Sequence, residues 1–177
     1  MITRIPLALA ILLLAPLAAQ AATARTTNRF ELPLAFSDAQ QWYEANQSGV
    51  MKASNCRIVE KQENGDLLVE TLTRLGTCRY VLRRSREERT TQDGRAQTVY
   101  VLEYVRNVSG RITAQKCVTT YTDAGERTEV HVELTATVSG RLIPAFAVRS
   151  DLSNSLAGAE RYIVSNARQL EADPTAE

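Results

Sequence analysis

Apolar and polar residues follow two distinct rhythms toward the end of the chain. In "TEVHVELTATVS", Val130, Val132, Leu134, Ala136 and Val138 share one side; Glu129, His131, Glu133, Thr135 and Thr137 share the other. A period of two predicts a strand with one covered and one wetted face. The period then changes. Val148, Leu152, Leu156, Ala159, Ile163, Ala167 and Leu170 recur at spacings of four and three, one stripe on an amphipathic helix. From Pro144, tolerated near a first turn, to Leu170 this helix has about 27 residues and a length of roughly 40 Å. Gly158 at its middle lowers helix propensity and admits a bend or a close approach to the sheet.

Earlier segments add strands to this pair. "TTNRFELPLA" (Thr26–Ala35) reads as a short strand with Phe30, Leu32 and Leu34 on one face. Ser37 is a good N-cap for a helix "SDAQQWYEANQ" anchored by Trp42 and Tyr43, and "SGVMKAS" reads as a breaker or one irregular turn. Six strands follow, separated by Asn64-Gly65, Leu75-Gly76, Asp93-Gly94, Ser109-Gly110 and Ala124-Gly125. Asn-Gly and Asp-Gly supply the positive φ angles of tight hairpins, so consecutive strands should pair as an antiparallel meander. Tyr80 and Leu82 oppose Arg79 and Arg83; Tyr100, Leu102 and Tyr104 accompany Arg106. The apolar sheet face needs a cover, and the closing helix supplies it.

The front of the chain has a different character. Arg4, an apolar run from Ile5 to Leu17 and a small-residue stretch follow the order of a secretory signal peptide. Ala19-Gln20-Ala21 places cleavage before Ala22, and Ala22-Thr23-Ala24 offers a second site. The run is shorter than the ~20 residues that span a bilayer. The expected organisation is a signal peptide over 1–21, one domain over 26–170 and a fraying tail over 171–177. An exported, periplasmic or secreted protein is therefore expected. Removing Arg4 from the 21 basic residues leaves 20, against 20 acidic ones. A neutral chain gives no electrostatic reason to expect nucleic acid.

An exported chain meets an oxidising compartment, and its three cysteines are an odd number. Cys56–Cys78 is the candidate disulfide. Hairpin register argues against it: a two-residue turn at Asn64-Gly65 sets Cys56 opposite Thr73, with Thr73 opposite Cys78. That leaves roughly 9–10 Å between the thiols, beyond disulfide reach. Cys117 reads as a small apolar residue inside a strand.

Catalytic patterns are missing. His131, the single histidine, points away from the apolar face. Neither zinc-ligand spacing, nucleophile elbow nor nucleotide-binding glycine loop occurs, so no catalytic residues, metal or cofactor are expected. Glu103 belongs in solvent; only a one-residue register shift would turn it inward and raise its pKa. "RRSREER" (Arg83–Arg89) can touch anionic headgroups, but reads better as a charge-balanced strand end that discourages edge pairing.

The element order, carried by "RFELPLAFSDAQQWYEA", the hairpin series from Cys56 to Val138 and "VSGRLIPAFAVRSDLSNSLAGAERYIV", resembles the helix-grip fold of the START-like (SRPBCC) superfamily. That superfamily includes polyketide cyclases, aromatase-like proteins and lipid-transfer domains. The resemblance covers Thr26 to about Ala167 and lies in element order, not in a short signature. It implies an α+β helix-grip architecture: one N-terminal strand plus a six-stranded meander, curved around the long C-terminal helix. It also implies a cavity between sheet and helix for a lipid or other apolar small molecule. A bent sheet and a straight helix cannot touch along their whole length, so side chains or a ligand must fill the gap. Tyr80, Leu82, Tyr100, Leu102, Tyr104, Val130, Val132, Leu134, Phe146 and Leu152 are the expected lining, apolar with tyrosine hydroxyls as handles. The expectation is a monomeric, non-covalent carrier of a hydrophobic molecule, with transient membrane-surface contact. A cyclase- or hydrolase-like enzyme using Tyr100, Tyr104 or Glu103, and an interaction module with a filled core, are the alternatives.

Overall fold

The computed structural model describes residues 21–74, 76–140 and 143–172. The expected signal peptide up to residue 20 and the expected tail beyond Ala172 lie outside the described residues. The strands are β1 (Ala21–Leu32), β2 (Cys56–Lys61), β3 (Leu67–Thr73), β4 (Gly76–Thr90), β5 (Ala96–Ser109), β6 (Ile112–Asp123) and β7 (Thr128–Ser139). Helix α1 (Phe36–Ala53) follows β1, and α2 (Ala145–Ala172) closes the chain. All pairings are antiparallel, in the order β1-β7-β6-β5-β4-β3-β2. The meander is therefore as expected, with β1 on the open edge of β7.

Curvature comes from irregularities in the ladder. Register shifts occur at Ile58/Glu60, at Arg79/Tyr80 and Val81/Leu82, and at Ile112/Ala114. Each extra residue bends its strand and increases local twist, so the sheet wraps α2. The alternation in β7 holds throughout: Val130, Val132, Leu134, Ala136 and Val138 are buried. So does the helix stripe, with Val148, Leu156, Ala159, Ile163 and Ala167 buried against the sheet and α1.

Three elements, β1, α1 and α2, have boundaries that differ from the sequence reading. β1 begins at Ala21 instead of Thr26, and Ala22 and Ala24 are buried opposite Val138 and Ala136. Leu34 lies past the end of β1, half-buried against the core. Helix α1 runs on through "SGVMKA", its N-cap is Ala35, and no side chain caps it; Ser37 sits inside its first turn. The helix continues because Val50 and Met51 are buried, which outweighs the low propensity of Ser48 and Gly49. Gly49 is there for proximity. A Cβ on it would lie 2.2 Å from the Tyr162 hydroxyl, and one on Gly158 would lie 2.2 Å from the carbonyl oxygen of Ala53. Gly158 thus serves a close approach to α1, not to the sheet. Helix α2 also extends through Ala172, past the expected end at Leu170.

Candidate functional site: a half-filled space between helix and sheet

At one end of the sheet, α1 fills the space beneath α2. Tyr43 lies 4.8 Å from the Tyr100 ring and 5.4 Å from the Tyr121 ring, centroid to centroid, and Tyr100 meets Tyr121 edge-on at 5.7 Å. Trp42, Leu32, Val130 and Ile163 complete this cluster. Arg84 and Arg86, inward-facing on β4, reach α1: Arg84 donates to Gln47 at 2.9 Å and Arg86 to Glu44 at 2.7 Å. Glu44 also accepts from the Tyr100 hydroxyl at 2.8 Å. Part of the "RRSREER" run therefore clamps a helix, where the sequence suggested anionic headgroups or, better, an exposed strand end.

At the other end α2 packs on β1 and β7, Val148 lying with Ala22, Ala24 and Val138, but stands off the middle of the sheet. Between them lies a cavity of about 420 Å³, within the range of small-molecule pockets and equal to roughly fourteen waters at ~30 Å³ each. Its apolar wall includes Leu82, Leu102, Val132, Leu134, Leu152 and Ile163. Exposed lining residues mark the rim: Asn55, Leu72, Arg74 and Asn154. Across that rim the Arg74 guanidinium lies 3.3 Å from the Asp151 carboxylate, and the Arg74 backbone N–H donates to it at 3.2 Å. Among the described residues these two are the only charged ones of the lining, and each is paired with the other.

Of the ten lining residues read from sequence, Leu82, Leu102, Val132, Leu134 and Leu152 line the cavity. Five do not. Tyr100 belongs to the aromatic cluster because α1 packs on it. Tyr80 is fully buried behind the wall, and Tyr104 stacks on it at 6.0 Å. Phe146 is 76% exposed; it sits two residues before Val148, off the buried stripe. Val130 is core rather than lining. Glu103 is exposed and paired with Lys116 at 3.4 Å, so it stays in solvent as expected. His131 lies on the outer face opposite Arg29, and burial together with that cation lowers its pKa.

All three cysteines line the cavity. They are free thiols. Cys56 and Cys78 both pair with Thr71, one from each side, not with Thr73 as a two-residue turn required. The bulge at Ile58/Glu60 and the longer turn that closes between Lys61 and Leu67 shift the register of Cys56, and the β3–β4 hairpin, closed at Thr73 and Gly76, sets that of Cys78. Two strand spacings still separate the thiols. Burial pushes Cys117 up to about 11 and also raises Cys56, so both remain neutral thiols near pH 7. Sequence reading missed Thr71, Gln115 and Thr119, polar residues on the inner face; strict alternation in β6 opposite β7 was the available signal. Among the described residues no group of three or more His, Cys, Asp or Glu is placed to hold a metal, and no helix is long and apolar enough to cross a membrane.

No family model and no curated protein matches the chain. Solved structures do. A START superfamily protein from Mycobacterium smegmatis matches with a TM-score of 0.56 and 12% identity, over 82% of this chain and 98% of that one. The Zhui aromatase/cyclase from Streptomyces sp. R1128 gives 0.59 and 9%, over 88% and 99%. A STAR-related lipid transfer protein from Xanthomonas axonopodis gives 0.57 and 13%, over 81% and 85%. At these identities the likeness is one of fold. The chain has the helix-grip fold of START-like proteins: a curved seven-stranded antiparallel sheet, one shorter helix and a long closing helix.

Proposed function

We propose that the protein binds an apolar small molecule or lipid in the cavity beneath α2, non-covalently, as a carrier or sequestering protein. The observation that carries this reading is the cavity itself, walled by aliphatic side chains and reached through a polar rim. Apolar walls left in contact with water forgo the free energy of burial that an apolar guest would supply. The solved structures support the class of ligand: one is a lipid transfer protein by name and another an aromatase/cyclase. The enzyme alternative loses the residues it relied on, since Tyr100, Tyr104 and Glu103 lie outside the cavity. The filled-core alternative is opposed by the cavity volume.

We place the working protein outside the cytoplasm, as a monomer released from its leader between Ala21 and Ala22. That position keeps Ala22 and Ala24, whose side chains pack beside Val138 and Ala136; cleavage after Ala24 would remove both. Transient contact with a membrane surface is part of the same proposal. Exposed Leu72 stands on the rim through which a lipid would exchange.

Native mass spectrometry after incubation with a lipid extract tests the central claim. One retained small molecule per chain, lost when Ala136→Leu narrows the cavity, is the expected result. Bare protein in both forms would overturn it.

A further inference from the structure

At the apolar wall of the cavity three polar side chains are linked to one another. Tyr80, fully buried, donates its hydroxyl to Gln115 Oε1 at 2.6 Å, and Thr71 Oγ1 lies 2.7 Å from the same phenol oxygen. The phenol has one hydrogen, and it is spent on Gln115. Thr71 must then be the donor to Tyr80. The three side chains, from β3, β4 and β6, thus form a directed chain: Thr71 to Tyr80, Tyr80 to Gln115. It ends in the Gln115 amide Nε2, which has no hydrogen-bond partner among the described residues, while Thr71 and Gln115 both line the cavity.

The strand geometry explains how a buried tyrosine comes to join distant strands. The bulges at Arg79/Tyr80 and Val81/Leu82 turn β4 so that Tyr80 reaches past β5 to β6. Burial drives the phenol pKa well above its ordinary value, so the hydroxyl remains a donor at every working pH. Tyr80 is a positioning residue. It fixes the oxygen end of the Gln115 amide against the wall and leaves the nitrogen end for the cavity.

The lining carries no compensating charge for an ionic guest. Arg74 and Asp151 sit at the rim and neutralise each other, and among the described residues the rest of the lining has no acidic or basic side chain. An ion buried there would face a large desolvation cost, whereas a carbonyl or ether oxygen needs only a donor. From this polarity we infer that the cavity selects an uncharged apolar molecule bearing one oxygen acceptor, docked on Gln115 Nε2. The inference rests on the reading of the cavity as a ligand site and specifies the chemistry of its guest.

Three probes of one skeleton test it on the purified protein by isothermal titration: 2-isopropylnaphthalene, 2-acetylnaphthalene and 2-naphthoate. The ketone should bind about tenfold tighter than the hydrocarbon of the same shape, the worth of one neutral hydrogen bond, and 2-naphthoate weakest at neutral pH. In Gln115→Met the ketone's advantage should disappear, so that the two neutral probes bind equally. Thr71→Val should reduce the advantage by a factor of two or three, through a less firmly oriented Tyr80. The probe series itself needs no variant, so it remains decisive even if Gln115→Met does not fold. Equal binding of hydrocarbon and ketone by the unaltered protein would overturn the acceptor-selective site while leaving apolar binding intact. Tightest binding of 2-naphthoate would overturn the requirement for an uncharged guest. Absence of binding by all three would overturn the ligand-site reading and this inference with it.

Discussion

At the end of the sheet where β5 begins and β7 begins, Tyr43, Tyr100 and Tyr121 stack beneath α2, and the space is closed. At the opposite end the inner positions of the same strands carry Leu102, Gln115, Cys117 and Ala136, and the space stays open. The strands, the closing helix and the alternation are shared between the two ends. What differs is side-chain bulk, together with the part of α1 that lies below. Its N-terminal half brings Trp42 and Tyr43 into the gap, whereas its C-terminal end brings the smaller Val50 and Met51 to the cavity wall. A closed aromatic end rigidly spaces sheet and helix, and that spacing holds the other end apart.

The comparison can be broken most strongly at the closed end. Tyr121 is fully buried, so Tyr121→Ala should cost about 3–5 kcal/mol, seen as a lower denaturant midpoint. Next in size is the crossing of the helices. In an ordinary exposed helix Gly→Ala stabilises by up to ~1 kcal/mol, yet Gly158→Ala should destabilise by about 1–3 kcal/mol, because its methyl would meet the Ala53 carbonyl at 2.2 Å. A stabilised variant would mean that the helices are further apart than described here.

Smaller effects sharpen the contrast. The Tyr121 hydroxyl is buried and has no hydrogen-bond partner among the described residues. Tyr121→Phe should therefore be neutral or stabilising by about 1 kcal/mol, measured by the same unfolding curve. At the open end Ala136→Leu should alter stability by less than ~1 kcal/mol, since it fills existing space, while abolishing retention of a guest. Asp151→Asn removes an exposed ion pair, worth at most ~1 kcal/mol, and should show itself in faster ligand exchange by stopped flow with little change in melting temperature.

Much of this architecture was legible in the sequence, and the failures share a cause. The β7 alternation, the α2 stripe and the glycine-marked hairpins are local signals, and the structure follows them. Tyr100 was misplaced because its partner, Tyr43, lies on an element whose docking no local pattern reveals. Gly49 looked like a helix breaker because its reason, the Tyr162 hydroxyl against its Cα, is contributed by another helix. The first strand reads from Thr26 and omits Ala22 and Ala24, since a strand packed by small side chains has little hydrophobic signature. The pairing partner moved from Thr73 to Thr71 through a bulge and a longer turn for Cys56 and through the β3–β4 turn closed at Thr73 and Gly76 for Cys78. The Tyr80–Gln115 bond joins residues 35 positions apart, and no spacing rule connects them.

The central claim is that the open end admits a guest, and the three native thiols report on it directly because all of them line that cavity. Alkylation of the folded protein by N-ethylmaleimide, followed by intact-mass and peptide analysis, gives a rate for each cysteine. With Cys117 pushed up to about 11, its thiolate fraction is small at pH 7.5 and its rate should climb as pH rises toward that value. Saturating 2-acetylnaphthalene should slow modification of Cys56, Cys78 and Cys117 together at a fixed pH. Unchanged rates for all three, with the probe demonstrably bound, would place the guest elsewhere and contradict the account.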